Sequence, residues 1–283
     1  MTINTVGIIG AGTMGNGIAQ VVAVAGLKAI MIDVNEAALA KGLATLTGSL
    51  ERLVAKGKLD AAVKEAALSR IETSTDYQRL TSVDLVIEAA TENTDLKIRI
   101  LRQIESVARP ETIIASNTSS ISITALGAAL TDASRFIGMH FFNPVPLLPL
   151  VEIIRGIQTS AATIEAVREL TVKLDKSPIS VKNAPGFVVN RILVPMINEA
   201  FFVLAEGIAT AEEIDLGMRL GANHPIGPLA LADLIGLDVC LSVLDVFLKD
   251  FGDSKYRASP LLRELVAAGH LGRKVGQGVY RYD

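Results

Sequence analysis

Short apolar runs alternate with helical stretches along the first two thirds of the chain. Residues 6–9 form an apolar run that stops at Gly10, and an alanine-rich helical stretch follows from about residue 13 to residue 25. A second apolar run, 29–32, leads directly to Asp33. Two strand–helix units of this length predict parallel strands joined by right-handed crossovers.

The same alternation continues to about residue 181. Leucine and valine recur at helical spacing from Glu36 to about Lys58, which predicts a long helix there. The later runs predict strands at 85–87, 112–115, 136–139, 151–154 and 179–181, and helices at 96–107, 121–130 and 161–174. The chain therefore begins with an α/β unit built on a doubly wound, mostly parallel sheet.

The pattern changes at the tripeptide Ala184-Pro185-Gly186. From Phe187 onward the pattern predicts helices, and no strand is evident. The length of 283 residues also corresponds to about two domains of average size. We therefore predict an α/β domain at 1–185 and a second, all-helical domain at 186–283.

The composition is that of a globular protein that can bury a large core. Half of the residues are hydrophobic, and 27 Lys and Arg nearly balance 30 Asp and Glu, for a net charge of −3. This balance provides no basic field for a nucleic-acid backbone, so no nucleic-acid partner is expected.

Targeting and redox features favour the cytoplasm. The most apolar stretch, Gly17 to Ile32, is interrupted by Gln20, Gly26 and Lys28 before it reaches the roughly 20 residues of a membrane span. The amino terminus lacks the regions of a signal peptide. The single cysteine, Cys240, cannot close an intramolecular disulfide, and no Cys/His cluster has zinc spacing. We therefore expect a cytoplasmic protein with no membrane segment and no structural metal.

A glycine-rich turn follows the first predicted strand. Its sequence, Gly-Ala-Gly-Thr-Met-Gly at 10–15, matches the dinucleotide-binding fingerprint, in which small residues let a pyrophosphate approach a helix amino terminus. Asp33 lies 23 residues after Gly10, where a carboxylate can bind ribose hydroxyls. No arginine adjoins Asp33 to neutralise a 2′-phosphate, so a Rossmann-type domain that prefers NAD to NADP is predicted. The turn residues expected to contact NAD are Gly10, Gly12, Thr13, Met14 and Gly15.

Polar side chains follow three more of the predicted strands. They are Glu88, Glu92 and Asn93, the run 116–120 (Ser-Asn-Thr-Ser-Ser), and His140 and Asn143. Because open α/β sheets bind ligands at the carboxyl ends of their strands, these side chains could converge on one cleft. The run 116–120 is equally well explained as the N-cap of the next helix.

His140 is the best placed of only three histidines to act as a group that titrates near neutral pH. A single histidine is more often structural, but the carboxyl end of a strand in a nucleotide-binding fold favours a catalytic role. Glu152 interrupts an apolar run at 150–154, so its carboxylate is expected to be buried and to need a partner. His140 is a candidate for that partner. The alternative is a Glu152 that bonds the backbone or faces solvent.

Two further groups are ambiguous from their spacing. Asn190 follows Pro185-Gly186-Phe187 at the start of the second domain, where it could face an interdomain cleft. Arg52 and Lys56 lie one helical turn apart and could hold an anionic ligand, although such charges usually form a solvated face.

Together these residues resemble one family, the L-3-hydroxyacyl-CoA dehydrogenases, over nearly the whole chain. The resemblance is closest to the bacterial branch that acts on 3-hydroxybutyryl-CoA. The motifs that carry it are 10–15, Glu88-Ala89-Ala90 with Glu92-Asn93, 115–120, 138–144 (Gly-Met-His-Phe-Phe-Asn-Pro), 185–191 (Pro-Gly-Phe-Val-Val-Asn-Arg), and 271–274 before Gly276 and Gly278.

The resemblance implies an oxidoreductase that transfers hydride reversibly between NAD and a short-chain L-3-hydroxyacyl-CoA. His140 resembles the family's acid/base and Glu152 the acid that orients it. The groups that resemble ligands of the substrate's oxygen-bearing carbons are Ser119 and Asn190. Further implied NAD contacts are Glu92, Lys97, Asn117, Ser119 and Lys274. Implied CoA contacts are Ser49, Arg52, Lys56 and Ser119.

The resemblance also implies partners and a setting. Acetoacetyl-CoA and 3-hydroxybutyryl-CoA are the implied substrates, and fatty acid metabolism is the implied context. The family forms homodimers through the helical domain, which also closes over the substrate.

Two other functions share parts of the pattern. β-Hydroxyacid dehydrogenases, which act on free acids, also join a nucleotide-binding domain to a helical one. What the resemblance implies for that class, however, is a lysine-based mechanism and not a His/Glu pair. A non-catalytic NAD-binding protein, like the crystallin relative of the family, would have the same fold without the catalytic residues. The presence of Ser119, His140, Glu152 and Asn190 favours the 3-hydroxyacyl-CoA dehydrogenase.

Overall fold

A computed structural model describes residues 2–282. Within them the strands are β1 (Thr5–Ile9), β2 (Lys28–Ile32), β3 (Ile71–Ser74), β4 (Leu85–Glu88), β5 (Ile113–Ser116), β6 (Phe136–Phe141), β7 (Leu150–Arg155) and β8 (Ser177–Lys182). The helices are α1 (Thr13–Val24), α2 (Glu36–Ala55), α3 (Ala61–Ser69), α4 (Thr94–Val107), α5 (Ile123–Gly127), α6 (Ala161–Lys173), α7 (Val189–Ala205), α8 (Ala211–Gly221), α9 (Pro228–Ile235), α10 (Leu237–Phe251) and α11 (Pro260–Ala267). Short 3-10 helices lie at Tyr77–Ser82, Ala133–Arg135, Ser254–Tyr256 and Arg273–Val275. The chain forms two compact units, divided between residues 184 and 185.

The strands of the first unit form one sheet with the order β3-β2-β1-β4-β5-β6-β7-β8. The strands β1 to β6 pair in parallel. Strand β7 runs antiparallel to β6, and β8 runs parallel to β7. The predicted doubly wound, mostly parallel sheet is therefore confirmed. Because β1, β4, β5 and β6 are neighbours, their carboxyl ends form one continuous edge.

The core of this unit explains why its strands were visible in the sequence. All residues of β4 and β5 are buried. Ile8, Ile87 and Met139 of the sheet pack in one apolar cluster with Ile18 and Leu46 of the covering helices. Strands that are covered on both faces need near-continuous apolar runs, and those runs predict them.

Strand β3 and helix α3 were not predicted. In β3 a single apolar residue, Ile71, is followed by Glu72, Thr73 and Ser74, and no residue of the strand is fully buried. It forms because its backbone pairs with β2, from Ala29 opposite Ile71 onward. An edge strand of this kind carries no apolar run for a pattern to detect.

The long second helix ends earlier than predicted. It stops at Ala55, not near Lys58, because Gly57 adopts a φ of +64°. The backbone N–H groups of Gly57 and Lys58 turn back to the carbonyls of Val54 and Leu53. A glycine in the left-handed region is a common helix terminator.

Two boundaries near the predicted cleft also differ. Strand β6 continues through His140 to Phe141, because β7 returns beside it and pairs with both residues. His140 therefore lies inside the strand and not after it. Helix α5 begins at Ile123 rather than at Ile121, since the Ser122 hydroxyl accepts the N–H of Ala125 as an N-cap.

The second unit contains helices and isolated bridges but no strand between residues 185 and 282. The predicted all-helical class of this unit is thus confirmed. Its core includes Phe201, Leu237 and Phe247. The buried Asp233 carboxylate accepts the N–H groups of Val279 and Tyr280, which ties the end of the chain to α9.

None of the helices in the described part of the chain is long and apolar enough to cross a membrane. Among residues 2–282, no three His, Cys, Asp or Glu side chains are grouped so that they could hold a metal ion. Burial raises the pKa of the Cys240 thiol to about 12.

Candidate active site

The glycine turn joins β1 to α1 and is shaped by close backbone contacts. Gly10 has a φ of +102°, and a Cβ there would lie 2.8 Å from the Cα of Ala90. A Cβ on Gly15 would lie 1.8 Å from the carbonyl oxygen of Gly10. Side chains at these two positions are therefore excluded by the backbone itself.

Gly12, in contrast, faces open space. A Cβ built on it has no heavy atom within 4 Å, and no side chain caps the amino terminus of α1. The first turn of α1 also carries no acidic residue. An uncapped helix amino terminus with an approachable backbone suits the pyrophosphate of a dinucleotide, so the residues present fit NAD.

Asp33 connects the turn to the next strand. One of its carboxylate oxygens accepts the N–H of Ala11 at 2.9 Å, and the other accepts the N–H of Asn35 at 3.3 Å. Val34 is exposed and Asn35 caps α2. The structure thus places the predicted ribose ligand beside the glycine turn, with no cation at the two residues that follow it.

A buried polar cluster lies beside the turn, at the ends of β4 and β5. One Glu88 oxygen accepts the N–H of Ala90, and the other accepts the Ser116 hydroxyl and the Lys97 ammonium. Glu88 and Lys97 are 0% and 1% exposed. This cluster holds the backbone of Ala90 where Gly10 packs against it, and its structural role was not predicted from the sequence. The NAD contact expected of Lys97 stays a prediction.

The polar run after β5 serves more than helix capping. Glu92 accepts the Thr118 hydroxyl at 2.7 Å and the Ser119 N–H at 3.0 Å. Asn117 accepts the N–H of Phe141 at 2.9 Å and so ties this loop to the end of β6. Glu92, Asn117 and Ser119 are therefore brought together at the carboxyl edge of the sheet.

His140 and Glu152 face each other across the antiparallel pair β6–β7. They are direct register partners, and Nδ1 of His140 lies 2.7 Å from Oε2 of Glu152. Glu152 is 0% exposed, His140 is buried, and the Phe142 ring lies 4.5 Å from the imidazole, between centroids. The predicted burial and pairing of Glu152 are both present. With Glu152 accepting from Nδ1–H, the neutral ring carries its lone pair on Nε2.

The predicted CoA contacts Ser49 and Arg52 lie on one face of α2, and Lys56 is the residue that caps its carboxyl end. Ser49, Arg52 and Lys56 are three or four residues apart, and neither Arg52 nor Lys56 has an ion pair among residues 2–282. Leu53, on the same face, lines a cavity of about 320 Å³ that Leu147 and Lys176 also line. The wall of this cavity is mixed, because Gln20, Lys173 and Asp175 line it beside the apolar residues. Leu53, which follows Arg52 in the chain, is the link between the predicted CoA contacts and this cavity.

Asn190 and Lys274 belong to the second unit. Asn190 is the second residue of α7, and the Lys274 ammonium lies 2.6 Å from Asp238. Their expected contacts with substrate and cofactor stay predictions.

The glycine turn, the aspartate beside it and the dinucleotide fold define an NAD-dependent dehydrogenase. The sequence model of the 3-hydroxyacyl-CoA dehydrogenase NAD binding domain matches residues 5–184, and that of the C-terminal domain matches residues 186–282. The chain belongs to the 3-hydroxyacyl-CoA dehydrogenase family. The predicted family, enzyme class and cofactor are confirmed by these matches.

Individual relatives match over essentially their full length. A 3-hydroxybutyryl-CoA dehydrogenase of Bradyrhizobium diazoefficiens is 51% identical over 99% of this chain and 96% of its own. One from Clostridioides difficile is 48% identical over 98% of both chains. The crystal structure of (S)-3-hydroxybutyryl-CoA dehydrogenase from Ralstonia eutropha is 62% identical, covers 100% of each chain and superposes with a TM-score of 0.97.

Proposed function

We propose that this protein is an (S)-3-hydroxybutyryl-CoA dehydrogenase that oxidises short-chain L-3-hydroxyacyl-CoA with NAD and catalyses the reverse reduction. The observation that carries the proposal is the His140–Glu152 pair, with Nδ1 2.7 Å from Oε2, on strands of the sheet that bears the glycine turn. The names of the relatives support the choice of substrate.

His140 is the acid/base of the reaction. During oxidation its Nε2 removes the proton of the 3-hydroxyl group, and during reduction it returns that proton. Glu152 accepts a hydrogen bond from Nδ1–H of His140 and so keeps the tautomer whose lone pair lies on Nε2. Its negative charge also stabilises the imidazolium that forms during oxidation. Bound NAD supplies the hydride acceptor.

Ser119 and Asn190 hold the oxygen-bearing carbons of the substrate. Hydrogen-bond donors aimed at the 3-oxygen stabilise the negative charge that develops on it during reduction. The support for Ser119 is its backbone bond to Glu92, which fixes the loop at the carboxyl edge of the sheet.

Asp33 binds the adenosine ribose, and the turn residues bind the pyrophosphate. The implied contacts of Glu92, Lys97, Asn117 and Lys274 complete the cofactor site. A 2′-phosphate beside Asp33 would bring like charges together, with no neighbouring cation at Val34 or Asn35, so NAD is preferred to NADP.

Arg52 and Lys56 bind the phosphates of CoA, with Ser49 as a further contact. The cavity of about 320 Å³ that Leu53 lines supports this assignment, because Arg52 precedes Leu53 in the chain and neither Arg52 nor Lys56 has an ion-pair partner among residues 2–282. Acetoacetyl-CoA and 3-hydroxybutyryl-CoA are the substrate pair, and the reaction serves fatty acid metabolism in the cytoplasm.

The helical unit forms a homodimer and closes over the substrate. An apolar groove of about 410 Å³, lined by Met196, Val203 and Ile214, supports self-association. Ile192 and Leu220 are also large apolar side chains left exposed on this unit. Light scattering coupled to size exclusion should give twice the 29.9 kDa chain mass.

An NADH absorbance assay with acetoacetyl-CoA tests the proposed function. Rapid, enzyme-dependent loss of NADH is expected, with the (S)-3-hydroxy product. Oxidation of free 3-hydroxy acids without activity on acetoacetyl-CoA would instead identify a β-hydroxyacid dehydrogenase. NADH binding without turnover of either substrate class would identify a non-catalytic relative.

A further inference from the structure

Two cations stand side by side at the ends of β7 and β8. Arg155 and Lys182 are register partners in this parallel pair, so their side chains leave the same face of the sheet. Both are exposed, and neither has a carboxylate partner among residues 2–282. Like charges placed directly opposite each other on neighbouring strands are unfavourable, and an anion bound between them would relieve the repulsion.

Both cations line the same cavity, which has a volume of about 630 Å³. The hydroxyl-bearing residues Ser122, Thr124 and Thr159 line it as well, and none of the described lining residues is acidic. A concave surface with charges of one sign focuses its field on the cavity and attracts an opposite charge. The volume lies within the range of pockets that hold small molecules.

The rim of this cavity is held by its own hydrogen bonds. Thr159 accepts the N–H of Gly156 at 2.9 Å, and Thr124 accepts the N–H of Ile157 at 3.1 Å. Asn183, next to Lys182, accepts the N–H of Ile123 at 2.8 Å. These bonds fix the backbone on which both cations stand.

The other wall of the cavity is apolar. Ile157 is 87% exposed, and it lines the cavity with Ile164. A ligand with an anionic group and an apolar or aromatic part would cover both kinds of wall.

We propose that this cavity, the Arg155–Lys182 pocket, binds the phosphate or pyrophosphate group of a small phosphorylated molecule. The guanidinium forms a bidentate bond to the phosphate oxygens, and the ammonium supplies the second charge. The pocket is separate from the dinucleotide site, because β7 lies four strand spacings, or roughly 19 Å, from β1 in the sheet. It therefore adds an anion site that differs from both the NAD site and the CoA contacts proposed above, and that the dehydrogenase reaction does not use.

Calorimetric titration of the full-length protein with inorganic pyrophosphate tests the proposal. Saturating NADH and CoA are present throughout, so neither the dinucleotide site nor the proposed CoA contacts take up the probe. The test variant is Arg155→Gln with Lys182→Gln. The matched control is Arg219→Gln with Lys249→Gln, which removes one arginine and one lysine from exposed positions of the second unit. NADH binding by each variant reports that it is folded.

We expect pyrophosphate to bind the unmodified protein and the control equally, and to bind the Arg155/Lys182 variant at least tenfold more weakly. Equal binding by all three proteins, or no binding to the unmodified protein, would overturn the proposal. If the double variant loses NADH binding, Lys182→Gln alone is compared with Lys249→Gln, with the same criterion. A second titration compares ADP with pyrophosphate on the unmodified protein and on Ile157→Ala, to distinguish a nucleotide ligand from free phosphate. If ADP binds more tightly than pyrophosphate and loses that advantage in Ile157→Ala, the ligand uses the apolar wall.

Discussion

His140 and Glu152 are opposite each other in the register of β6 and β7, and this pairing places a buried carboxylate 2.7 Å from the imidazole. They are twelve positions apart in the chain. Because both side chains stand on paired strands, their separation is set by the sheet and not by a mobile loop. An imidazole held in this way needs little reorganisation when its protonation changes.

Replacement of His140 by Asn should remove the proposed acid/base group and keep a polar side chain of smaller size. We expect kcat with acetoacetyl-CoA to fall by roughly 10²–10⁴-fold, while the Kd for NADH changes little. Steady-state kinetics and fluorescence titration measure the two quantities. Retention of more than about a tenth of the turnover would rule out the proposed role.

Glu152→Gln should act through His140. We expect the double variant, Glu152→Gln with His140→Asn, to be hardly slower than His140→Asn alone, because members of one catalytic unit are strongly non-additive. The measurement is kcat/KM for the two single variants and the double variant. Losses that multiply would show that Glu152 acts independently of the histidine.

The cations at the end of α2 should affect binding of CoA and not the chemical step. Arg52→Ala with Lys56→Ala is expected to raise KM for acetoacetyl-CoA and leave kcat nearly intact, the pattern for loss of binding that ground state and transition state share. Lys41→Ala, which removes an exposed cation from the same helix, is the control. An unchanged KM in the double variant would mean that these charges are a solvated face.

Asp33 should determine the choice of cofactor. Asp33→Gly removes both the proposed ribose ligand and its charge. We expect NAD binding to weaken by about 1–3 kcal/mol and the difference in affinity between NAD and NADP to narrow. Asp33→Asn is the matched variant, because its side-chain oxygen can still accept the N–H of Ala11. The ratio of kcat/KM for the two cofactors is measured. Equal efficiency of the unmodified protein with NADP would contradict the assignment.

The glycine turn should tolerate no side chain at Gly15. A methyl group there would lie 1.8 Å from the Gly10 carbonyl oxygen, so the turn must open. We expect Gly15→Ala to weaken NADH binding at least roughly tenfold, or about 1.4 kcal/mol. Gly217→Ala in α8 is the control, since a Cβ there meets no atom within 4 Å. Comparable NADH affinity of both variants would refute the steric argument.

Features with a local pattern could be predicted from the amino-acid order. The buried strands can be predicted from apolar runs in the sequence, because a strand covered on both faces has no solvent-exposed face that would carry polar residues. The turn at 10–15 and the carboxylate of Asp33 follow from backbone requirements that small residues alone satisfy. For these features the information lies within about 25 consecutive residues.

Features that depend on pairing between distant segments could not be predicted in this way. Strand β3 exists because β2 offers it a partner, and β6 reaches Phe141 because β7 returns alongside. The bond between Glu88 and Lys97 and the opposition of Arg155 to Lys182 likewise depend on packing and register. Chain order specifies which residue types are present and how they repeat. Which of them meet is settled when the strands pair, because a shift by one residue would turn every side chain to the other face.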